Sequence, residues 1–167
     1  MSDKATWVNT TLDPHTEWTG TGRAPRVAGA TQGGHLPENA LTGTMYMVND
    51  VYLPVTVNSD EGKYRLWRDT GLASMPSGTS VALADQTVGY ESNEDVDNGF
   101  RPEGLIRLST TVGPTPEYLL DYGNEVGAGT TEHHVTLYRA PSGALVFSSG
   151  SVQWGWGLDS EHDGDPV

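Results

Sequence analysis

Apolar residues in this chain fall in short alternating runs, and the densest lie towards the C-terminal end. Val135, Leu137 and Arg139 share one face of an extended chain, and His134, Thr136 and Tyr138 share the other. This period of two predicts a strand. Ala140-Pro141-Ser142-Gly143 follows, with Pro at the second position and Gly at the fourth, and predicts a type I turn. Ala144-Leu145-Val146-Phe147 is apolar on both faces, so the returning strand is expected to be central and covered on both sides. Val152, Trp154, Trp156 and Leu158 then alternate with Gln153, Gly155 and Gly157. That predicts a further strand with both indoles on one face. The core is expected to be built on residues 130–159.

Upstream the pattern thins. Residues 1–37 hold scattered Pro and Gly with no lasting period and read as a loop-dominated arm. A loop of that length is uncommon inside a domain and implies either a function or a missing packing partner. Residues 38–167 read as the remaining unit. In it, a turn leads into a strand on which Met45, Met47 and Leu41 share a face, and Asn49-Asp50 supplies the next turn. Val51-Tyr52-Leu53-Pro54-Val55-Thr56-Val57 is a second run, demoted to an edge by Pro54 and closed by residues 58–62. Tyr64, Leu66 and Arg68 oppose Arg65 and Trp67 as in a strand. Residues 79–90 read as a short strand or as a strand after a turn. Residues 104–112 predict a strand that Gly113-Pro114-Thr115-Pro116 breaks, and residues 117–123 read as a helical turn or a strand. No helix of ordinary length is written anywhere, so the chain is expected to be β-rich with long loops and little helix.

Composition narrows the function classes. Lys and Arg number 9 against 22 Asp and Glu, a net charge of −13. That leaves little to neutralise phosphates, so nucleic acid and anionic membrane surfaces are not expected partners. There are no cysteines, which removes disulfides, thiolate metal sites and a Cys nucleophile and leaves the compartment open. Met1-Ser2-Asp3-Lys4 precedes no apolar run, so no signal peptide is visible, and no stretch approaches the length of a membrane span.

Few residue groups suggest chemistry. Glu91, Glu94, Asp95 and Asp97 crowd into an acidic stretch, and hard cations such as calcium take several oxygen ligands from a flexible loop. The stretch lacks the D-x-D-x-D-G spacing with a distal Glu, and a solvated acidic loop is the plainer reading. His133 and His134 are adjacent at a strand start and point to opposite sides, so they cannot share a site; one is expected to be buried and the other to meet solvent. Asp159, Glu161, His162, Asp163 and Asp165 form an acidic C-terminal segment that could hold a metal or simply fray. Tyr46, Tyr64, Tyr90, Tyr118, Tyr122 and Tyr138 read as packing residues. Ser148-Ser149-Gly150-Ser151 lacks the spacing of a nucleophile elbow.

Several runs together resemble a known family. They are Trp18-Thr19-Gly20-Thr21, Pro37-Glu38-Asn39-Ala40-Leu41-Thr42-Gly43-Thr44, Gly89-Tyr90-Glu91, Glu94-Asp95-Val96-Asp97-Asn98-Gly99-Phe100-Arg101-Pro102, Tyr118-Leu119-Leu120-Asp121-Tyr122-Gly123, and Leu137-Tyr138-Arg139-Ala140-Pro141-Ser142-Gly143-Ala144-Leu145-Val146-Phe147 with Val152-Gln153-Trp154. In this order they resemble the C-terminal domain of the N,N-dimethylformamidase large (β) subunit and its relatives in large bacterial multidomain proteins. The resemblance implies a class I glutamine-amidotransferase-like domain, a three-layer α/β sandwich, of which this chain is the C-terminal portion. It implies an iron-dependent amide hydrolase whose metal is held by tyrosines and a glutamate. The tyrosine-bearing segments would precede residue 1, and Glu91 matches the glutamate. The relatives carry Trp-Asp where this chain has Ser92-Asn93, a departure beside that ligand.

Two function classes follow. In one, the chain completes a dimethylformamidase-like hydrolase domain, is non-catalytic alone, and has the rest of its domain or a second copy as partner. In the other, it is an independent β-rich binding module for carbohydrate, with calcium on the acidic loop and Trp154 or Trp156 stacking on a sugar.

Overall fold

In the computed structural model, which describes residues 37–120 and 125–158, the alternation that begins at Met45 runs on as one strand, β1 (Met45–Leu53). Asn49-Asp50 is a bulge within it, not a turn. Val48 faces Ser92 and Val51 faces Tyr90, three residues against two, and Asp50 takes a left-handed φ of 54°. The extra residue restores the parity that a three-residue step would break, so Val48 and Val51 both point inward. Pro54 ends β1 without making it an edge. The first sheet has the order β4 (Val88–Glu94), β1, β6 (Thr111–Leu120), β7 (Glu125–His133), with every pairing antiparallel. Beyond Pro54 the chain enters a second, two-stranded sheet of β2 (Thr56–Asn58) and β3 (Ser80–Ala82).

The strand expected over residues 104–112 divides. Ile106 and Arg107 form β5 in the third sheet, while β6 starts at Thr111 and runs through both Pro114 and Pro116. The prolines fail to break it because β1 meets β6 only at Tyr118 and Glu117. The proline-bearing half is therefore paired on one side alone, where an absent N–H facing away from β7 leaves no ladder bond unmade. A bulge between Thr115 and Tyr118 absorbs Pro116. Residues 117–120 are strand.

The third sheet has the order β5, β8 (Thr136–Arg139), β9 (Leu145–Ser148). The turn between β8 and β9 forms where the sequence puts it: the Gly143 N–H donates to the Ala140 carbonyl at 2.8 Å across Pro141-Ser142. The burial expected for β9 is not found. β9 is an edge strand, with Leu145 60% and Phe147 45% exposed, because a three-stranded sheet gives it one neighbour only. Residues 152–158 are not a strand either. After a turn, Trp154–Leu158 is a 3-10 helix. Gln153 is buried and Val152 and Leu158 are exposed, the reverse of the alternation. Gly155 and Gly157 contribute no side chain to a sheet and weaken any strand through them.

The core also lies elsewhere than expected. Val55, Val57, Trp67, Leu72 and Val88 form it, with Leu53, Met75, Leu83 and Trp154 packed around. Trp67 belongs to a 3-10 helix (Arg65–Trp67) where alternation predicted a strand, and its indole N–H donates to the Leu108 carbonyl at 2.8 Å. Two more 3-10 helices, Glu61–Lys63 and Gly71–Ser74, flank it, the latter capped by the Thr70 hydroxyl. The one α-helix described is α1 (Asn39–Thr42), closed by Gly43 at φ 83°. Leu41 on α1 is largely exposed and shares no face with Met45.

The described residues are thus β-rich, antiparallel and nearly free of helix, and none of their helices is long and apolar enough to cross a membrane. All of the 1–37 arm but Pro37, together with Tyr122 and the acidic group from Asp159 to Asp165, lies outside the described residues.

Candidate functional site

A groove is built on the outer edge of β4. In the strand, Glu91 and Asn93 alternate with Ser92, which is buried. The edge is covered by residues 148–153, held by three backbone bonds: the Asn93 N–H to the Gly150 carbonyl at 2.7 Å, the Val152 N–H to Glu91 at 3.3 Å, and the Gln153 N–H to Gly89 at 2.9 Å. Gly89 permits the approach, since a Cβ there would lie 2.3 Å from both Gln153 Oε1 and the Val51 carbonyl. Side chains anchor the covering segment at both ends. Ser148 Oγ meets Thr44 Oγ1 at 2.7 Å, and Ser151 Oγ lies 2.7 Å from the Thr87 carbonyl and accepts the Gly89 N–H at 3.0 Å. Gly150, at φ 65°, supplies the bend between them.

Between this segment and the start of the first sheet opens a cavity of about 690 Å³. Glu38, at the N-terminus of α1, and Tyr46, on β1, form one side. Glu91 and Asn93 form the floor, and residues 148–152 the other side. Among the described residues that line it, the charged groups are the carboxylates of Glu38 and Glu91. Glu38 Oε1 accepts the Tyr46 backbone N–H at 3.3 Å, which ties the two together.

Behind the serine wall stands His133, at the end of β7 and fully buried. Its Nε2 lies 2.9 Å from the Ser149 carbonyl, which can only accept, so the proton is on Nε2. Its Nδ1 has no hydrogen-bond partner. Burial pushes the imidazole down to about 4, with His134 acting in the same sense and the Ser149 and Gly150 carbonyls and Asp95 opposing. The ring is neutral at physiological pH.

His134 is also fully buried, so neither histidine meets solvent as expected. It faces a separate cluster. Its Nδ1 is 2.8 Å from the Ser109 carbonyl, and its Nε2 lies 3.1 Å from Glu132 Oε1 and 3.3 Å from Asp95 Oδ1. Asp95 also receives Arg101 at 2.7 Å and a two-point contact from Arg107 at 2.9 and 3.1 Å. The hydrogen bond to Asp95 raises the Arg107 guanidinium above its ordinary value against the opposing effect of burial.

The residues proposed for a cation loop are therefore dispersed. Asp95 is clamped by arginines. Glu94 accepts from the Tyr118 hydroxyl at 2.8 Å, the Thr131 hydroxyl at 2.8 Å and the Glu132 N–H at 3.0 Å. Burial, with Glu94 as partner, pushes the Tyr118 phenol up. Asp97 is exposed and Glu91 faces the groove. Among the described residues no three His, Asp or Glu side chains converge as metal ligands do. Trp154 and Trp156 are half-buried in a 3-10 turn and do not share a strand face. Trp154 packs on the core and meets Phe147 edge-on at 6.0 Å. With Trp67, Leu66 and Leu158 it lines a second, apolar cavity of about 280 Å³.

Of the candidate site residues Glu91, Glu94, Asp95, Asp97, Trp154 and Trp156, Glu91 alone lines this groove. Sequence reading missed Glu38, Tyr46, Asn93 and the serine wall. The one local signal was a glycine inside a serine run, Ser149-Gly150-Ser151, which marks a sharp bend more than a ligand site.

A family model described as N,N-dimethylformamidase beta subunit-like, C-terminal, matches residues 3–165. No curated protein and no solved structure matches the chain.

Proposed function

The chain belongs to the N,N-dimethylformamidase beta subunit-like C-terminal family, and from that premise we propose that it forms part of an amide-hydrolase domain, lends that domain the groove on β4, and is non-catalytic by itself. The observation that carries this reading is the place of Glu91. The residue matched to the family's glutamate stands on the floor of the larger of the two cavities described above, opposite Glu38 and Tyr46.

Hydrolysing an amide requires a water made nucleophilic, an electrophile at the carbonyl oxygen and a proton for the departing amine. Glu91 can accept a proton from water, and the Asn93 amide and the wall hydroxyls can orient a small polar ligand. No described lining residue carries the positive charge that would polarise a carbonyl. The family's iron would supply a Lewis acid. The described residues do not fit a complete iron centre, because no three imidazole or carboxylate groups converge and Tyr46 is the one described tyrosine lining the groove, where the family's site calls for several. No step is therefore assigned to a metal here. In this reading the remaining ligands, and the helices of a three-layer glutamine-amidotransferase-like sandwich, come from outside the described residues. Among the described residues β7 and β9 are edge strands, and these edges are where the rest of the domain or a second copy would join.

The test is formate release from N,N-dimethylformamide by the purified 167-residue chain, with and without added ferrous iron. The expected result is no release above buffer in either case. Sustained turnover by the chain alone would overturn the proposal.

A further inference from the structure

We propose that His133 is the positioning residue for the serine wall: as a neutral ring donating from Nε2 to the Ser149 carbonyl, it holds the bend at Gly150 and so fixes where Ser149 and Ser151 stand against Glu91. This rests on the reading above, that the groove is the ligand-facing part of the domain.

Four observations converge. The wall is anchored at Ser148 by Thr44 and at Ser151 by the carbonyl of Thr87, and at Ser149 the link is His133. The ring lies directly under the bend, since a Cβ on Gly150 would come 3.0 Å from Nε2. The backbone bond nearest that contact, the Asn93 N–H to the Gly150 carbonyl, ties the wall to β4 beside Glu91 and Ser92. Finally, His133 Nδ1 is buried with no partner, although a buried ring ordinarily engages both nitrogens. A second proton would place an unpaired charge there. The ionisable groups acting on the ring are His134, beside it in the chain, and Asp95, from the segment after β4. Neither forms a hydrogen bond to the ring that would hold that proton.

The wall should therefore loosen when the ring takes its proton, because opening exposes the imidazole to water, where it titrates at its ordinary value. Amide hydrogen exchange on the 167-residue chain tests this at Asn93, Val152 and Gln153. Between pH 6.5 and pH 4, after correction for intrinsic rates, protection at these amides should fall on the order of a hundredfold more in the native chain than in His133→Gln, which keeps a neutral donor. At pH 7, His133→Leu should lose about tenfold more protection at the wall than in β2 and β3. Equal acid response in the native and His133→Gln chains would overturn the proposal. So would full wall protection in His133→Leu, and if that variant does not fold, the native and His133→Gln pair decides alone. The readout does not depend on hydrolysis. Its failure would remove the positioning role and leave the groove reading intact, whereas amide turnover by the chain alone would remove that reading and leave the exchange data standing.

Discussion

His133 and His134 are neighbours in the chain, equally buried, and belong to two regions built on different physics. The groove wall around His133 is held by neutral hydrogen bonds between a ring, hydroxyls and backbone carbonyls. The cluster around His134 is held by charge: Asp95 receives two arginines, and Glu132 reaches both Arg107 and the imidazole. The difference shows that burial alone does not fix what a histidine does. The wall has an acceptor for one nitrogen and nothing for the other. The cluster offers oxygen atoms to both. One region bends at a glycine and borders a groove, while the other locks the start of the third sheet to the end of β4.

The comparison breaks most visibly at Asp95. Replacing it with Ala would leave Arg101 and Arg107 facing a buried void, and the loss expected from truncating a buried ion pair is about 3 kcal/mol, at the lower end because both arginines are partly exposed. Urea unfolding measures it, and a loss below about 1 kcal/mol would mean that charge does not hold this region.

The next effect belongs to the wall. The folded-state value of His133, about 4, lies below the unfolded value of about 6.5. Its contribution is therefore fully present above pH 6.5 and is lost as pH falls towards 4. On the order of 3 kcal/mol of acid sensitivity should separate the native chain from His133→Gln across that window. Parallel stability curves for the two would refute this.

Gly89→Ala sharpens the contrast by steric means. The new methyl meets the Val51 carbonyl and Gln153, and the strain should cost roughly 2 kcal/mol. It should also raise exchange at Gln153 while leaving the Asp95 cluster as it was. The smallest effect is expected at the exposed rim of that cluster. Glu132→Gln should change stability by less than about 0.5 kcal/mol, because a half-exposed ion pair is screened.

Much of the strand content was legible in the sequence. The β8–β9 hairpin and its Pro141 turn were readable because Pro and Gly bias φ wherever they stand. The run after Met45 was readable as extended chain, whereas Ser92–Glu94, in the stretch that reads as an acidic loop, belong to β4 because β1 pairs with them. What misled was the same local information taken one step too far. Pro54, Pro114 and Pro116 read as edge or break signals, but whether a missing N–H matters depends on which neighbour it would have faced. Asn49-Asp50 reads as a turn and acts as a bulge, since two flanking strands hold the chain straight. The apolar density of residues 144–158 read as a core, yet most of it lies on an edge strand and in a 3-10 turn. The candidate site was the least legible part. Glu91 came from a family motif, whereas the serine wall reaches it across some sixty residues of chain.

The residues by themselves determined that this protein would be acidic, β-rich, poor in helix, free of cysteine chemistry and turned sharply at Gly143, because charge, propensity and φ preferences are local properties. Only the tertiary structure decided which strands are inner and which are edges, that Val55, Val57, Trp67, Leu72 and Val88 form the core, and that residues 148–153 close over β4 to make a groove. Those outcomes depend on contacts between distant segments, and a side chain's burial, partner and charge state are set by what the fold brings beside it.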